Sequence, residues 1–374
     1  MTWTGRDQGL ARLVIAGGGT GGHLYPGIAA AKETLRRYPS ARVSFVGTAR
    51  GLERRIVPAE GFELDYIRSA GLKGKSWWSR LRGAGLVPLG LVDAWRVLTR
   101  RRPQAVVGVG GYSSGPVVLM ASLRGIATMV LEQNAVPGLT NRLLARRVRA
   151  AAVAYEATLS YFGGRGFVAG NPVRPEFLAA AADAGGRAGV PATGPRVLAM
   201  GGSQGARAIN RAMTAAAAAI VAAAPGVAIV HQTGERDLAD ARERYAAAGV
   251  AARVESFIDP MAPEMAGADL VVCRAGATTL AELAALGRPA VLVPFPAATD
   301  DHQRRNAAVL AGAGAAIVID ERDLTGERLA STVAALLADR GRLERMGQAM
   351  RGLARPDAAA RIVDRLEGLV VARG

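Results

Sequence analysis

Only one cysteine, Cys273, occurs in the 374 residues, so no intrachain disulfide can form and no cysteine-built zinc site is available. That usage fits a reducing compartment. Histidine is scarce too, with His23, His231 and His302 alone. Aromatic residues make up 5% of the chain, whereas glycine reaches 47 residues and alanine is abundant. Such a mixture suits helices packed closely on parallel strands joined by tight turns. Long apolar runs are missing. No uninterrupted apolar stretch approaches the roughly 18–20 residues that span a bilayer. The segment Met1–Asp7 has no basic stretch leading into an apolar core, so a secretory leader is not expected. Half the residues are apolar, which excludes extensive disorder, and the length favours two domains over one.

Negative charge is short in one half only. Residues 1–174 hold 25 Lys and Arg against 9 Asp and Glu, whereas residues 175–374 hold 22 of each; the formal net charge of +16 belongs to the first half. An excess confined in this way points to an anionic partner, nucleic acid or acidic lipid. A general arginine bias would have coloured both halves.

The two halves open alike. An apolar strand, Leu13–Ala16, leads into Gly17-Gly18-Gly19-Thr20-Gly21-Gly22-His23 and a helical stretch from Pro26 to Tyr38. Arg196–Met200 leads into Gly201-Gly202-Ser203-Gln204-Gly205-Ala206 and an alanine-rich helix through Ala224. Strand, glycine turn and helix is the opening unit of a doubly wound α/β domain. Further buried strands are predicted at Arg42–Val46, Ala105–Val109, Thr128–Leu131, Val227–His231, Leu270–Cys273 and Ala290–Val293, with helices at Thr278–Leu286 and Asn306–Ala311. The expected fold is α/β, with two Rossmann-like parallel-sheet domains. Ala179–Pro195, rich in Ala, Gly and Pro, separates the halves and is expected to lack regular structure at its centre. A last helix, Ala358–Val371, can pack on either domain.

Gly17-x-Gly19-x-x-Gly22 satisfies the dinucleotide fingerprint, but the strand that would present a ribose-binding carboxylate ends in Gly47-Thr48. Nicotinamide binding is therefore disfavoured. Glycine loops at 17–22, 108–115 and 201–205 can each turn backbone N–H groups on an anion, or can merely permit a tight turn. Their recurrence in both halves favours a phosphate-bearing ligand. Among the carboxylates, Asp300-Asp301 lacks a third ligand, so no metal is expected. Glu282, early in a helix, suits either a ribose diol or the helix dipole. His23 closes the first loop, while His231 ends an apolar strand and reads as structural.

Leu72–Arg102 forms a basic and apolar segment. Lys73, Lys75, Arg80 and Arg82 surround Trp77-Trp78; apolar residues follow, and Arg100-Arg101-Arg102 closes it. Tryptophan beside basic residues suits the interface of an anionic bilayer, although a helix packed on the sheet with its charges in water reads the same. No nucleic-acid module accompanies it, so no nucleic-acid partner is expected.

Taken in order, several motifs are specific together. They are Gly18–His23, Gly110-Gly111-Tyr112-Ser113-Ser114-Gly115-Pro116, Glu132-Gln133-Asn134, Gly170-Asn171-Pro172-Val173-Arg174 and Gly201–Ala206, then Ile258-Asp259, Arg274-Ala275-Gly276-Ala277 and His302-Gln303-x-x-Asn306-Ala307. Over nearly its whole length the chain resembles the MurG family of bacterial peptidoglycan synthesis. The resemblance implies a GT-B fold, with two domains facing a cleft: 9–173 completed by 358–374 for acceptor and membrane, and 174–357 for the UDP-sugar. It implies transfer of N-acetylglucosamine from its UDP donor to the C4 hydroxyl of an undecaprenyl-linked muramoyl-pentapeptide, without metal or other cofactor. The expected location is peripheral, on the cytoplasmic face of the inner membrane. A related transferase acting on another lipid acceptor is the alternative.

Carried over by position, Thr20, Gly21 and Gly22 would lie by the donor, and Asn134 on the sugar. Arg174, Ser203 and Ile258 would contact the nucleotide, Ile258 through its backbone at uracil. Ala277, Thr278, Thr279, Leu280, Ala281 and Glu282 would wrap the pyrophosphate and ribose, and Gln303 would reach sugar hydroxyls. His23, Tyr112 and Glu132 would line the acceptor side, with His23 or its rival Glu132 as base. Two residues depart from the family pattern: Leu131, where many relatives carry His, with loss of a polar contact near the acceptor, and Gly27, where Ala is common.

Overall fold

The computed structural model describes residues 10–69, 77–183, 194–202 and 205–372, with side chains omitted for 77–85 and 299. Lys73, Lys75, Ser203 and the centre of the 179–195 segment fall outside the described residues. The chain divides into two compact units, Met1–Arg174 with Arg355–Gly374, and Pro175–Ala354.

In the first unit, β1 (Arg12–Gly17), β2 (Arg42–Gly47), β3 (Glu63–Tyr66), β4 (Ala105–Gly110), β5 (Ala127–Glu132), β6 (Ala150–Val153) and β7 (Gly166–Val168) form one sheet, ordered β3-β2-β1-β4-β5-β6-β7. Every pairing is parallel. The helices between them are α1 (Gly21–Arg37), α2 (Glu53–Ala59), α3 (Trp77–Arg101), α4 (Ser114–Leu123) and α5 (Leu139–Leu144). Both faces of this sheet are covered, so the strands read as continuous apolar runs instead of alternating ones. Leu13 and Ile15 point into a core with Leu24, Ile28 and Phe45, whereas Val14 and Ala16 point into the opposite core with Leu98, Val117 and Val118. Leu131 belongs to the first of these cores. An apolar residue there therefore serves packing.

The second unit carries β8 (Arg196–Met200), β9 (Ala228–Gln232), β10 (Ala252–Glu255), β11 (Leu270–Cys273), β12 (Ala290–Leu292) and β13 (Ala316–Val318), ordered β10-β9-β8-β11-β12-β13 and all parallel. Its helices are α6 (Pro175–Ala182), α7 (Arg207–Ala223), α8 (Leu238–Ala247), α9 (Met261–Ala266), α10 (Ala277–Leu286), α11 (His302–Gly312), α12 (Gly326–Ala338) and α13 (Arg340–Gly352). Helix α6 runs into the segment expected to be irregular. Finally α14 (Ala358–Val371) returns to the first unit, placing Ile362 and Leu366 in its core and Asp364 and Glu367 on Arg37 of α1.

In each sheet the strand order reverses once, between β1 and β4 and between β8 and β11. Connections leave those neighbouring strands towards opposite faces, which opens a crevice at their carboxyl ends, the usual ligand position in such sheets. No helix among the described residues is long and apolar enough to cross a membrane.

Candidate active site

At the β1/β4 switch the two glycine loops touch backbone to backbone. A Cβ on Gly111 would fall 2.5 Å from the Gly18 carbonyl oxygen, and one on Gly17 would fall 2.5 Å from that of Gly110. His23, in the first turn of α1, lies across this junction: a Cβ on Gly110 would sit 2.7 Å from its Cδ2 and 3.0 Å from Nε2. Its Nδ1 is 3.1 Å from the Thr20 hydroxyl. Here the missing side chains have a use. They let an imidazole edge rest on bare backbone, with one ring nitrogen held by a hydroxyl. Thr20 is exposed and Gly21, Gly22 and His23 are half-buried, so this group borders solvent. Tyr112, 54% exposed, follows Gly111 directly, and its carbonyl accepts from the Ser69 hydroxyl at 2.9 Å.

Glu132 ends β5, two strands from β1. Both its oxygens are engaged. Oε1 accepts from the backbone N–H of Asn134 at 3.0 Å and its side-chain amide at 3.2 Å; Oε2 accepts from Gly138 N–H at 3.0 Å and Asn141 Nδ2 at 2.9 Å. Burial raises its carboxyl above the ordinary range, with these donors opposing the shift. The arrangement ties down the 132–141 loop, and it turns the Asn134 amide onto Glu132.

Sequence reading missed Glu53. It is 1% exposed, in the first turn of α2, and its Oε2 accepts from Gly19 N–H at 2.8 Å. Its Oε1 accepts from Thr48 N–H at 2.8 Å and from the Thr48 hydroxyl at 2.9 Å. Burial pushes its pKa up, but the hydrogen bonds from Gly19 and Thr48 outweigh it and hold the carboxyl below the usual range. A carboxylate thus does reach the end of β2, where a dinucleotide-binding domain presents one to ribose. Here it faces inward onto the glycine loop. One loop N–H, that of Gly19, is accordingly committed inside the protein.

At the β8/β11 switch, Gln232 at the end of β9 bridges two segments. Its Nε2 donates to the Gly202 carbonyl at 3.1 Å, and its Oε1 accepts from Ile258 N–H at 2.9 Å. The backbone expected at uracil is fixed from behind by this side chain. Beneath it, His231 is fully buried between Tyr245 Oη (3.0 Å from Nδ1) and Asn210 Oδ1 (3.1 Å from Nε2), and burial pushes its pKa down to about 4. His231 is structural.

Gly276 precedes α10, whose first turn carries Ala277–Leu280 at the carboxyl end of β11, so the helix N-terminus opens at the switch point. Ala281 is half-buried, and Glu282 in the next turn is 3% exposed. Burial, together with the negative charge of Glu282, pushes the Cys273 thiol up to about 12. Gln303 Oε1 accepts from Phe295 N–H at 2.9 Å. Arg274 donates to the carbonyls of Val293 and Pro294, pairs with Glu321 at 2.5 Å and stacks on Phe295 at 5.3 Å. Just before α11, Asp300 and Asp301 both take left-handed backbone, at φ of 56° and 54°. Among the described residues no group of three or more His, Cys, Asp or Glu is placed to hold a metal.

Arg174, expected at the nucleotide, sits 4.8 Å over the ring of Tyr25 within the first unit. In α3, Trp77, Trp78, Arg80 and Arg82 form the first turns, of which the backbone alone is described. Farther along, Val87, Leu89, Val92 and Trp95 are exposed. Arg100 and Arg101 pair with Asp65, and Arg101 also with Glu63, so this block is partly neutralised on β3.

Comparison with known proteins is consistent across the chain. Residues 13–153 match the glycosyltransferase family 28 N-terminal domain and 196–362 the C-terminal domain of that family. A UDP-N-acetylglucosamine–N-acetylmuramyl-(pentapeptide) pyrophosphoryl-undecaprenol N-acetylglucosamine transferase of Anaeromyxobacter sp. (strain Fw109-5) is 49% identical over 94% of this chain and 92% of its own. The crystal structure of Acinetobacter baumannii MurG superposes with a TM-score of 0.77 at 31% identity, covering 96% of this chain and 99% of that one. A UDP-GlcNAc 2-epimerase from Neisseria meningitidis shares the fold, with a TM-score of 0.68 at 14% identity over 97% of this chain and 99% of its own.

Proposed function

The chain belongs to the MurG family of glycosyltransferase family 28, with the GT-B fold, and from that premise we propose how its residues divide the work. It transfers N-acetylglucosamine from UDP-N-acetylglucosamine to the C4 hydroxyl of undecaprenyl-pyrophosphoryl-N-acetylmuramyl-pentapeptide. The observation that carries the division of labour is the pair of switch points. One is lined by His23 and the touching glycine loops, the other by the α10 N-terminus and the Gln232 clasp.

His23 is the base. In the tautomer that donates Nδ1–H to the Thr20 hydroxyl, 3.1 Å away, Nε2 carries the lone pair and takes the proton of the attacking C4 hydroxyl. The hydroxyl oxygen bonds to the anomeric carbon as the bond from that carbon to the UDP oxygen breaks, and UDP leaves with the electron pair. A single displacement inverts the α-linked donor to a β-linked product. Glu132, with every oxygen occupied, orders the Asn134 loop instead of moving a proton. Charge on the leaving diphosphate is met by N–H groups of the α10 first turn, so the reaction runs without metal. Glu282 holds the ribose diol and Gln303 the sugar hydroxyls. The basic first unit, with the α3 surface, holds the protein peripherally at the cytoplasmic face, where acidic lipid carries the acceptor.

Incubation of the purified protein with labelled UDP-N-acetylglucosamine and a short-chain muramoyl lipid analogue, with chelator present, tests the proposal. Label should pass to the lipid with inversion. Transfer abolished by chelator and restored by a divalent ion would refute the metal-free mechanism; no transfer under either condition would refute the activity.

A further inference from the structure

We propose that Glu53 is a positioning residue for the transfer: its carboxylate sets the shape of the first glycine loop and so fixes Thr20 and His23 against the β4 loop. The inference rests on the transferase reading above and adds a residue outside the motifs that carry that reading. Three segments converge on this one side chain. A Cβ on Gly18 would lie 2.4 Å from its Cδ, one on Gly47 2.5 Å from its Cγ, and one on Gly51 2.0 Å from its Oε2. Each of those positions is bare where the carboxylate passes, and Gly18 adopts a φ of 156° that side chains rarely take.

The donors match the space. Gly19 N–H, Thr48 N–H and the Thr48 hydroxyl all point at the two oxygens, while no Lys, Arg or His pairs with Glu53 among the described residues. A buried carboxylate held by two backbone N–H groups and a neighbouring hydroxyl is a constraint on the backbone that supplies them. Here that backbone is the turn into α1. Gly18 also presses its carbonyl on Gly111, and His23 presses its ring on Gly110, so a shift of the Gly19 peptide moves the base relative to the β4 loop. Misplacement by about 1 Å is enough to cost on the order of 100-fold in rate.

The natural test is Glu53→Gln, which keeps size but replaces one acceptor with a donor facing N–H groups. Three readouts separate positioning from a merely structural role. These are kcat at saturating substrates, UDP-N-acetylglucosamine affinity by calorimetry, and amide exchange in residues 17–23 against residues 196–202. We expect kcat to fall about 10- to 100-fold, donor affinity to stay within about twofold, and exchange to quicken in 17–23 alone. Unchanged kcat overturns the proposal, as does exchange rising equally in both segments. Should Glu53→Gln fail to fold, Thr48→Val removes one donor with little change of shape; a smaller fall of kcat with the same local exchange supports the proposal, and wild-type behaviour overturns it. If the wild-type protein transfers no sugar, the activity reading fails, yet the exchange comparison still decides whether Glu53 holds the loop.

Discussion

His23 and Glu132 were rivals for one chemical role, and their surroundings separate them. His23 has a ring edge at the surface of the loop junction, whereas Glu132 is 3% exposed with four donors on its two oxygens. His23→Ala should therefore lower kcat by roughly 10²–10⁴ while leaving donor affinity intact, and it should remove the acid limb of the kcat/KM profile. Glu132→Gln should also lower kcat, because one amide N–H₂ would face N–H groups, but the midpoint of that limb should stay where it is. Loss of the limb in Glu132→Gln, with its retention in His23→Ala, would reverse the assignment. A second histidine prediction concerns stability. The pKa of His231 is pushed down from 6.5 to about 4 by burial, so its neutral form is favoured in the folded protein. The stabilisation is complete above pH 6.5 and is lost as pH falls from there to about 4, amounting to about 3 kcal/mol. Denaturant midpoints measured across that window should fall more steeply for the wild type than for His231→Gln; parallel slopes would contradict the linkage.

Elements differ in how plainly they announce themselves. Strands β1, β4, β8 and β11 were readable because both their faces are buried and their residues, apart from the leading Arg12 and Arg196, are apolar. Strand β6 is Ala-Ala-Ala-Val, whose alanines carry no β signal, so only its place between β5 and β7 makes it a strand. Edge strands β3 (Glu-Leu-Asp-Tyr) and β10 (Ala-Arg-Val-Glu) mix charge with apolar residues, as edges do, and escaped for that reason. The glycine loops were legible as loops, but their carboxylate clamp was not: Glu53 is 34 residues from Gly19, and first-turn glutamates are common for dipole reasons alone. Gln232 was missed likewise, since nothing at the end of an apolar strand indicates a side chain reaching 26 residues onward to Ile258. Its clasp makes a prediction at this scale. Gln232→Ala frees Gly202 and Ile258 together, so UDP affinity should weaken about 3- to 20-fold, the worth of one or two net hydrogen bonds. Unchanged UDP affinity by calorimetry would remove Ile258 from the uracil site.

For the whole molecule, charge and connectivity meet in the first unit. Its core on one face of the sheet is completed by α14, whose Ile362 and Leu366 are fully buried and whose acids engage Arg37. Part of the positive excess of residues 1–174 has internal partners. Arg101 spans Asp65 and Glu63, and Arg100 joins it on Asp65, a carboxylate with 10% side-chain exposure. Had all of Leu72–Arg102 faced lipid, every arginine in it would contribute to binding; the pairing gives Arg100 and Arg101 a structural use instead. Arg101→Gln should cost about 1–3 kcal/mol of stability by stripping a partner from a buried carboxylate, with vesicle binding unchanged. Arg80→Gln with Arg82→Gln should leave the unfolding midpoint in place and weaken binding to anionic vesicles by about 2 kcal/mol, or roughly 30-fold. Raising salt until the Debye length shrinks from about 10 Å towards about 3 Å should have the same effect on the wild type. Sedimentation with phosphatidylglycerol vesicles and thermal unfolding read the two properties separately. If Arg101→Gln releases the vesicles while Arg80→Gln with Arg82→Gln does not, the membrane surface lies at the other end of α3.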